Sequence, residues 1–319
     1  QHLGAHPADV DVLRGPIERR AVTGLRAAVL CPIGADPGDE QPVAQPQRSD
    51  ELRLAYRREV LRIAARDLTS TDPLAELPSV AGELADLADA TVEAALALAR
   101  EQVPGWQKAR LGIVALGKTG GQELNYVSDV DVLYVAEPAL DESGEPVCST
   151  AEAIAVAAKL VGALTRECSA HTAAGTIWQL DAALRPEGKA GPLVRSLASH
   201  QAYYEKWAAT WEAQALLRAS HGAGDPTVSA TLLAGVAPLR YPVDGLDTRQ
   251  VADIRKLKAR MESERVPRGT DPRRHVKLGP GGLSDVEWTV QLVQLQHAHE
   301  VPSLRTTGTL SALDASVVA

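Results

Sequence analysis

Apolar residues recur at helical spacing through most of the chain and give way to strand-like runs only in its middle. Residues 1–31 read as helical, with Leu, Val and Ala at mixed spacing. From Pro32 to Asp50 four prolines and little apolar content mark a loop. Over 51–68, Leu54, Leu61, Ala64, Ala65 and Leu68 form one stripe with Arg and Glu elsewhere, which predicts an amphipathic helix that Thr69 to Pro73 ends. A second helical pattern, rich in Ala and Leu, runs from about Ser79 to Val103 and stops at Pro104-Gly105.

The texture changes at Arg110. Leu111 to Leu116 is a short apolar run with β-branched content, as expected of a buried strand. Gly117 to Ser128 is a Gly-rich loop, and Asp129 to Val135 alternates acid with apolar residues as a second strand does. A helix is predicted over 150–167, a third strand over 176–184 and a loop over 185–192; further helices follow near 197–219, 247–263 and 284–299. Strands clustered between helical flanks predict an α+β chain. Its parts are a helical region at 1–105, a core at 106–240 and a helical region at 241–319.

Composition narrows the function classes. With 319 residues, 45% hydrophobic and 23% charged, the chain has the make-up of a globular protein of about two domains. Its net charge of −8 argues against nucleic acid as the main partner. No window approaches the roughly 20 apolar residues of a membrane span, and the first residues lack the pattern of a signal peptide. Cys31, Cys148 and Cys168 form no CxxC pair, which fits a reducing cytoplasm. Phe is absent. The chain opens on Gln rather than Met, as expected of a piece of a longer protein.

Gly112-Ile-Val-Ala-Leu-Gly117-Lys118-Thr119 spells the G-x-x-x-x-G-K-[ST] phosphate loop of P-loop ATPases. The spelling lacks its mechanism. The four middle residues should curl round phosphates through their N–H groups, yet here they are the most strand-like residues nearby. No buried strand precedes Gly112, and Gly120-Gly121 discourages a helix after Thr119.

Gly120-Gly121 followed by Ser128-Asp129-Val130-Asp131 is the sharper signal. On a strand Asp129 and Asp131 project from one face, with Val130 and Val132 turned inward. Two adjacent carboxylates repel unless a cation lies between them, and hard oxygen ligands suit Mg²⁺. Taken alone, the pair would serve equally as a solvated strand end. Asp181, inside the third predicted strand, shifts the balance, because an acid among apolar residues is costly unless paired or metal-bound. Beside the acid pair it would complete a three-carboxylate site for displacement at phosphorus. Gly120 and Gly121 would let the backbone approach a phosphate, and Ser128 would donate to one. Arg185 and Lys189 could hold phosphate oxygens, or simply form an exposed basic loop.

Gly117 to Asp131 is very similar to the signature of the glutamine synthetase adenylyltransferase/adenylyl-removing enzymes. Leu180 to Val194, Ala202 to Trp207, Thr210 to Glu212 with Gln214 to Arg218, and Lys277 to Glu287 follow in that family's order. The resemblance runs from the helix at Glu51 to the end of the chain, with an actinobacterial texture. It implies a DNA polymerase beta-like nucleotidyltransferase core with Asp129, Asp131 and Asp181 as Mg²⁺ ligands. It further implies a cytoplasmic enzyme acting on glutamine synthetase, with ATP or ADP and inorganic phosphate as small substrates and a PII-type signalling protein as a second partner. Members carry two such halves in tandem. One removes AMP from a tyrosine by phosphorolysis, and the other attaches AMP from ATP. The wording at Asn125-Tyr126 and over 277–282 resembles the removing half.

The chain departs from that pattern at Ser284, where Arg is usual, at Trp288 in place of Phe, and at Ala213. Ser284 with Glu287 spells a helix capping box. Tyr203, Tyr204, Trp207 and Trp211 are expected to form a core stripe on one helix, and Glu212 and Arg218 an ordinary helical ion pair or charges facing the site.

Overall fold

The computed structural model describes residues 2–14, 17–267, 269 and 271–318. They form two compact units, Gln1–His200 with Ser220–Leu232, and Gln201–Ala219 with Leu233–Ala319.

The first unit opens with α1 (His2–Ala5) and α2 (Val22–Leu30), not the continuous helix expected over 1–31, because Pro7 starts a 3₁₀ segment instead. Then come α3 (Ser49–Thr69) and the 30-residue α4 (Pro73–Gln102). The latter starts earlier than the periodicity suggests. Asp72 accepts from the Ala75 N–H at 3.1 Å, and Pro73, with no N–H to satisfy, fits the first turn. Pro78 sits within the helix and forgoes only one backbone bond.

The sheet is built from β1 (Ala109–Ala115), β2 (Asp129–Pro138), β3 (Gln179–Asp181), β4 (Val194–Arg195) and β5 (Ser220–Gly224). The one-turn helix α5 (Gly117–Gly120) lies between β1 and β2, and α6 (Thr150–Ser169) between β2 and β3. β1 pairs antiparallel with β2 and with β5, while β3 and β4 both pair parallel with β2, β3 at its first three residues and β4 at Tyr134 and Val135 in its middle. Val130, Val132, Tyr134 and Ala136 join the main core with residues of α4 and α6. Strand alternation therefore turns Asp129 and Asp131 to the other face. Ala85, Ala88, Ala94, Ala95, Ala97 and Ala99 are buried on α4, so close helix packing fills the core without any Phe.

Three further expectations are corrected by the fold. The third strand is three residues long rather than nine, because backbone pairing with β2 stops at Asp181. β5 went unseen, since Ser-His-Gly-Ala-Gly offers almost no apolar side chain. The helix expected over 197–219 is broken into α7 (Leu197–Lys206) and α8 (Thr210–Leu216), with Trp207 73% exposed in the break and therefore outside any core stripe.

The other unit holds α8 and, beyond α9 (Pro226–Gly235), the helices α10 (Ala237–Arg240), α11 (Thr248–Arg265), α12 (Leu283–His297) and α13 (Thr309–Val318). Its core gathers Ala213, Leu217, Leu246, Ile254 and Leu295. Among the described residues no helix is long and apolar enough to cross a membrane.

Candidate active site

β2 opens on the acid pair, and its parallel pairing with β3 places Asp129 opposite Gln179 and Asp131 opposite Asp181. One carboxylate oxygen from each of Asp129, Asp131 and Asp181 lies within 4.8 Å of the others. Asp129 is exposed; Asp131 and Asp181 are half-buried. Among the described residues no basic side chain pairs with Asp129 or Asp181, so their mutual repulsion has no salt bridge to offset it. A close set of hard oxygen donors such as this could hold a divalent metal ion.

Each acid is aimed by its backbone. The Leu116 N–H donates to the Asp131 carbonyl at 2.9 Å, which fastens the end of β1 to the acid strand. Asp181 accepts from the Ala183 N–H at 2.7 Å, a local turn that holds its carboxylate. Gly117, overlooked as a site residue, is required on two counts. Its φ is +54°, and a Cβ there would lie 2.2 Å from Asp131 Oδ2. A glycine immediately after an apolar strand was the available signal.

The glycines at 120 and 121 are buried, and their N–H groups already donate to the carbonyls of Leu116 at 2.9 Å and Gly117 at 3.1 Å. They tighten the turn under the acid strand. Ser128 is half-buried, and its Oγ receives Lys118 Nζ at 3.3 Å. Tyr126, in the same loop, donates to Asp67 at 2.8 Å, tying the loop to α3. Burial, then the bond to Asp67, pushes its phenol well above the ordinary range.

Downstream of Asp181, Arg185 is engaged by backbone. Its guanidinium donates to the carbonyls of Ala182 at 2.8 Å, Gly191 at 3.2 Å and Lys189 at 3.2 Å, so it shapes the loop from within. Lys189 is exposed at the loop's tip.

The nominal phosphate loop is a strand. Gly112 pairs with Val135 and Gly224, and a Cβ on it would lie 2.7 Å from Ser229 Oγ, so this glycine seats the sheet against α9. Lys118 nevertheless belongs to the site, through Ser128 rather than through a P-loop.

In the second unit, Glu212 accepts from the Ala209 N–H at 2.8 Å and from the Tyr203 hydroxyl at 3.0 Å, so it caps α8 rather than pairing with Arg218. Burial raises its pKa, partly opposed by those two bonds. Arg218 lies 3.5 Å from Glu287. The capping box read at Ser284 is not formed. Gly282 is the N-cap of α12, and Ser284 is buried one step inside with its Oγ lacking a hydrogen-bond partner among the described residues. Asp285 holds that turn, accepting from the Gly281 N–H at 2.6 Å.

Residues 37–235 match the family model described as glutamate-ammonia ligase adenylyltransferase, and residues 255–318 match one described as GlnD PII-uridylyltransferase. The chain is 48% identical over 319 residues to a protein of Cutibacterium acnes, an alignment covering 99% of this chain and 32% of that protein. It is 44% identical over 324 residues to one of Streptomyces avermitilis, covering 98% and 31%, and 46% identical over 267 residues to one of Mycobacterium tuberculosis, covering 82% and 26%. All three are named bifunctional glutamine synthetase adenylyltransferase/adenylyl-removing enzyme. The chain spans about a third or less of the length of these curated relatives.

Proposed function

The chain belongs to the glutamate-ammonia ligase adenylyltransferase family, and from that premise we propose that it is one nucleotidyltransferase half of a cytoplasmic two-activity enzyme, the half that removes AMP from the adenylylated tyrosine of glutamine synthetase. The observation that carries the reading is the convergence of Asp129, Asp131 and Asp181 within 4.8 Å. An antiparallel strand pair joined through a glycine turn, with the acid pair opening its second strand, supports a DNA polymerase beta-like core.

In the proposed reaction an oxygen of inorganic phosphate attacks the adenylyl phosphorus. The new P–O–P bond makes ADP, and the bond to the tyrosyl oxygen breaks. The phenolate leaves with the bonding pair and takes a proton from solvent; with a pKa near 10 it needs little acid help. Asp129, Asp131 and Asp181 would hold Mg²⁺, which when bound neutralises charge on the phosphoryl oxygens. Ser128 offers a hydroxyl to a phosphate oxygen, and the Gly120-Gly121 turn keeps the backbone close beneath the acid strand. Arg185 holds the turn after Asp181, from which Lys189 presents its ammonium.

By its similarity to the PII-uridylyltransferase family, the segment over 255–318 is proposed to contact a PII-type signalling protein.

The test is nucleotide release from AMP-modified glutamine synthetase. ADP that appears only with both Mg²⁺ and inorganic phosphate is the expected result. AMP incorporation from ATP into the unmodified synthetase, with no ADP release, would instead assign the attaching activity. Neither reaction, from a chain that binds Mg²⁺, overturns the proposal.

A further inference from the structure

Helix α3 carries five arginines, and four are held by carboxylates. Arg53 meets Asp50 and Glu167, Arg58 meets Asp9, Arg62 meets Glu59 and Glu83, and Arg66 meets Glu76 and Glu83. Arg57 differs. Among the described residues its one hydrogen bond is a long one, from Nε to the Ala174 carbonyl at 3.3 Å, and it has no acidic partner. The backbone beside it is kept bare: Gly175 adopts φ +98°, and a Cβ there would lie 2.3 Å from Arg57 Nη2. The chain thus makes room for a guanidinium that it does not neutralise.

Arg57 faces a cavity of about 830 Å³ that also touches Lys118, Ser128, Asp129, Tyr56 and Trp178. Lys118 likewise has no carboxylate partner among the described residues, its one bond being to Ser128 Oγ at 3.3 Å. In a chain with 41 acidic and 33 basic residues, two unneutralised cations on one cavity wall are not a consequence of composition. The one acidic side chain on that wall is Asp129, so the cavity abuts the acidic cluster.

We infer that this cavity is an anion subsite in which Arg57 and Lys118 receive a phosphoryl group beside Asp129. The planar guanidinium suits two oxygens of one phosphate, and the lysine supplies a point charge. The inference rests on the phosphoryl-transfer reading and adds to it a residue of α3, outside both the glycine turn and the acid strand. The group has two sources, free inorganic phosphate or the terminal phosphates of a bound nucleotide.

The test titrates the chain and its Arg57→Gln and Arg57→Lys variants with inorganic phosphate and, separately, with ATP, by calorimetry. Lys118→Gln serves as a second variant should Arg57→Gln fold poorly. Loss of a charge-assisted contact is expected to weaken binding roughly 10- to 100-fold, with partial recovery in Arg57→Lys. Weakening for phosphate alone assigns free phosphate, and weakening for ATP alone assigns the nucleotide's phosphates. Unchanged affinity for both ligands in folded Arg57→Gln and Lys118→Gln overturns the subsite. The two proposals fail separately. Arg57-dependent phosphate binding in a chain without turnover leaves the subsite standing and the function wrong. Turnover with the same phosphate half-saturation in the wild-type chain and Arg57→Gln does the reverse.

Discussion

Asp131 and Asp181 stand directly opposite one another across the parallel pair of β2 and β3, 50 positions apart in sequence. Adjacent carboxylates on neighbouring strands cost free energy unless a cation joins them. The pairing therefore implies opposite signs for stability and function when the charge of Asp181 is removed.

For Asp181→Asn the Ala183 N–H keeps an oxygen to bond, so the local turn survives. Without divalent cation the variant should be more stable than wild type by about 1 kcal/mol, the scale of one like-charge contact at a protein surface. Its Mg²⁺-dependent turnover should fall at least on the order of 100-fold. Urea unfolding in EDTA and initial rates in Mg²⁺ check the two signs; a variant that is both less stable and fully active would contradict the site.

Gly117→Ala tests how tightly the turn is fitted to Asp131. Gly105 has a similarly positive φ of +74°, but a Cβ added there would meet nothing within 4 Å, whereas at Gly117 the methyl group would displace Asp131 Oδ2. Gly105→Ala should cost about 1 kcal/mol of stability and leave turnover intact. Gly117→Ala should cost more and remove Mg²⁺ dependence. Equal behaviour of the two variants would show that strain alone matters at 117.

Glu83 anchors the contact between α3 and α4. It is fully buried and accepts from the Arg20 N–H at 2.8 Å as well as from Arg62 and Arg66. Glu83→Gln leaves two buried guanidinium groups short of charge, and a loss of about 3 kcal/mol is expected. Chemical denaturation measures it. A loss below about 1 kcal/mol would mean that Glu59 and Glu76, the other partners of Arg62 and Arg66, suffice.

Acid should weaken the first unit through His200, which is 1% exposed and lies 3.4 Å from the Tyr134 carbonyl. Burial pushes its imidazole down to about 4, the Tyr134 carbonyl opposing and the Arg195 charge adding to the effect. The unfolded chain, with a pKa near 6.5, binds the proton first. The neutral ring's contribution is therefore complete above about pH 6.5 and is lost as pH falls toward 4, on the order of 3 kcal/mol in all. In His200→Gln that part of the pH dependence should vanish from the urea midpoint; an unchanged slope between pH 6.5 and 4 would assign it elsewhere.

The acid strand was legible because its alternation is strict, Asp129 and Asp131 against Val130, Val132 and Tyr134. Asp181 was legible because it interrupts an apolar run. The long helices showed through their 3.6-residue stripes. What stayed hidden depends on partners far away in sequence. β5 has no periodicity to read and belongs to the sheet because Gly224 and Ala223 fit against β1. The break at Trp207 carries no proline or glycine to announce it. The capping box at Ser284 is spelled correctly, but the helix begins two residues too early for it, at Leu283 rather than Asp285. Arg57 reads like any other arginine of α3, and only the placement of Asp9, Glu83 and Glu167 in space shows which four are neutralised.

The crossover that separates the acids in sequence also orders them in time. On the ribosome Asp129 and Asp131 emerge with β2, the 20 residues of α6 follow, and Asp181 appears only after them. It is held by three residues of strand pairing. A nascent chain therefore carries two of the three carboxylates through an interval in which no complete site exists. The three carboxylates can share an ion only once α6 has packed and β3 has closed alongside β2, so cation capture would report on that closure, a step for which β5, still 39 residues further along the chain, need not yet have been made.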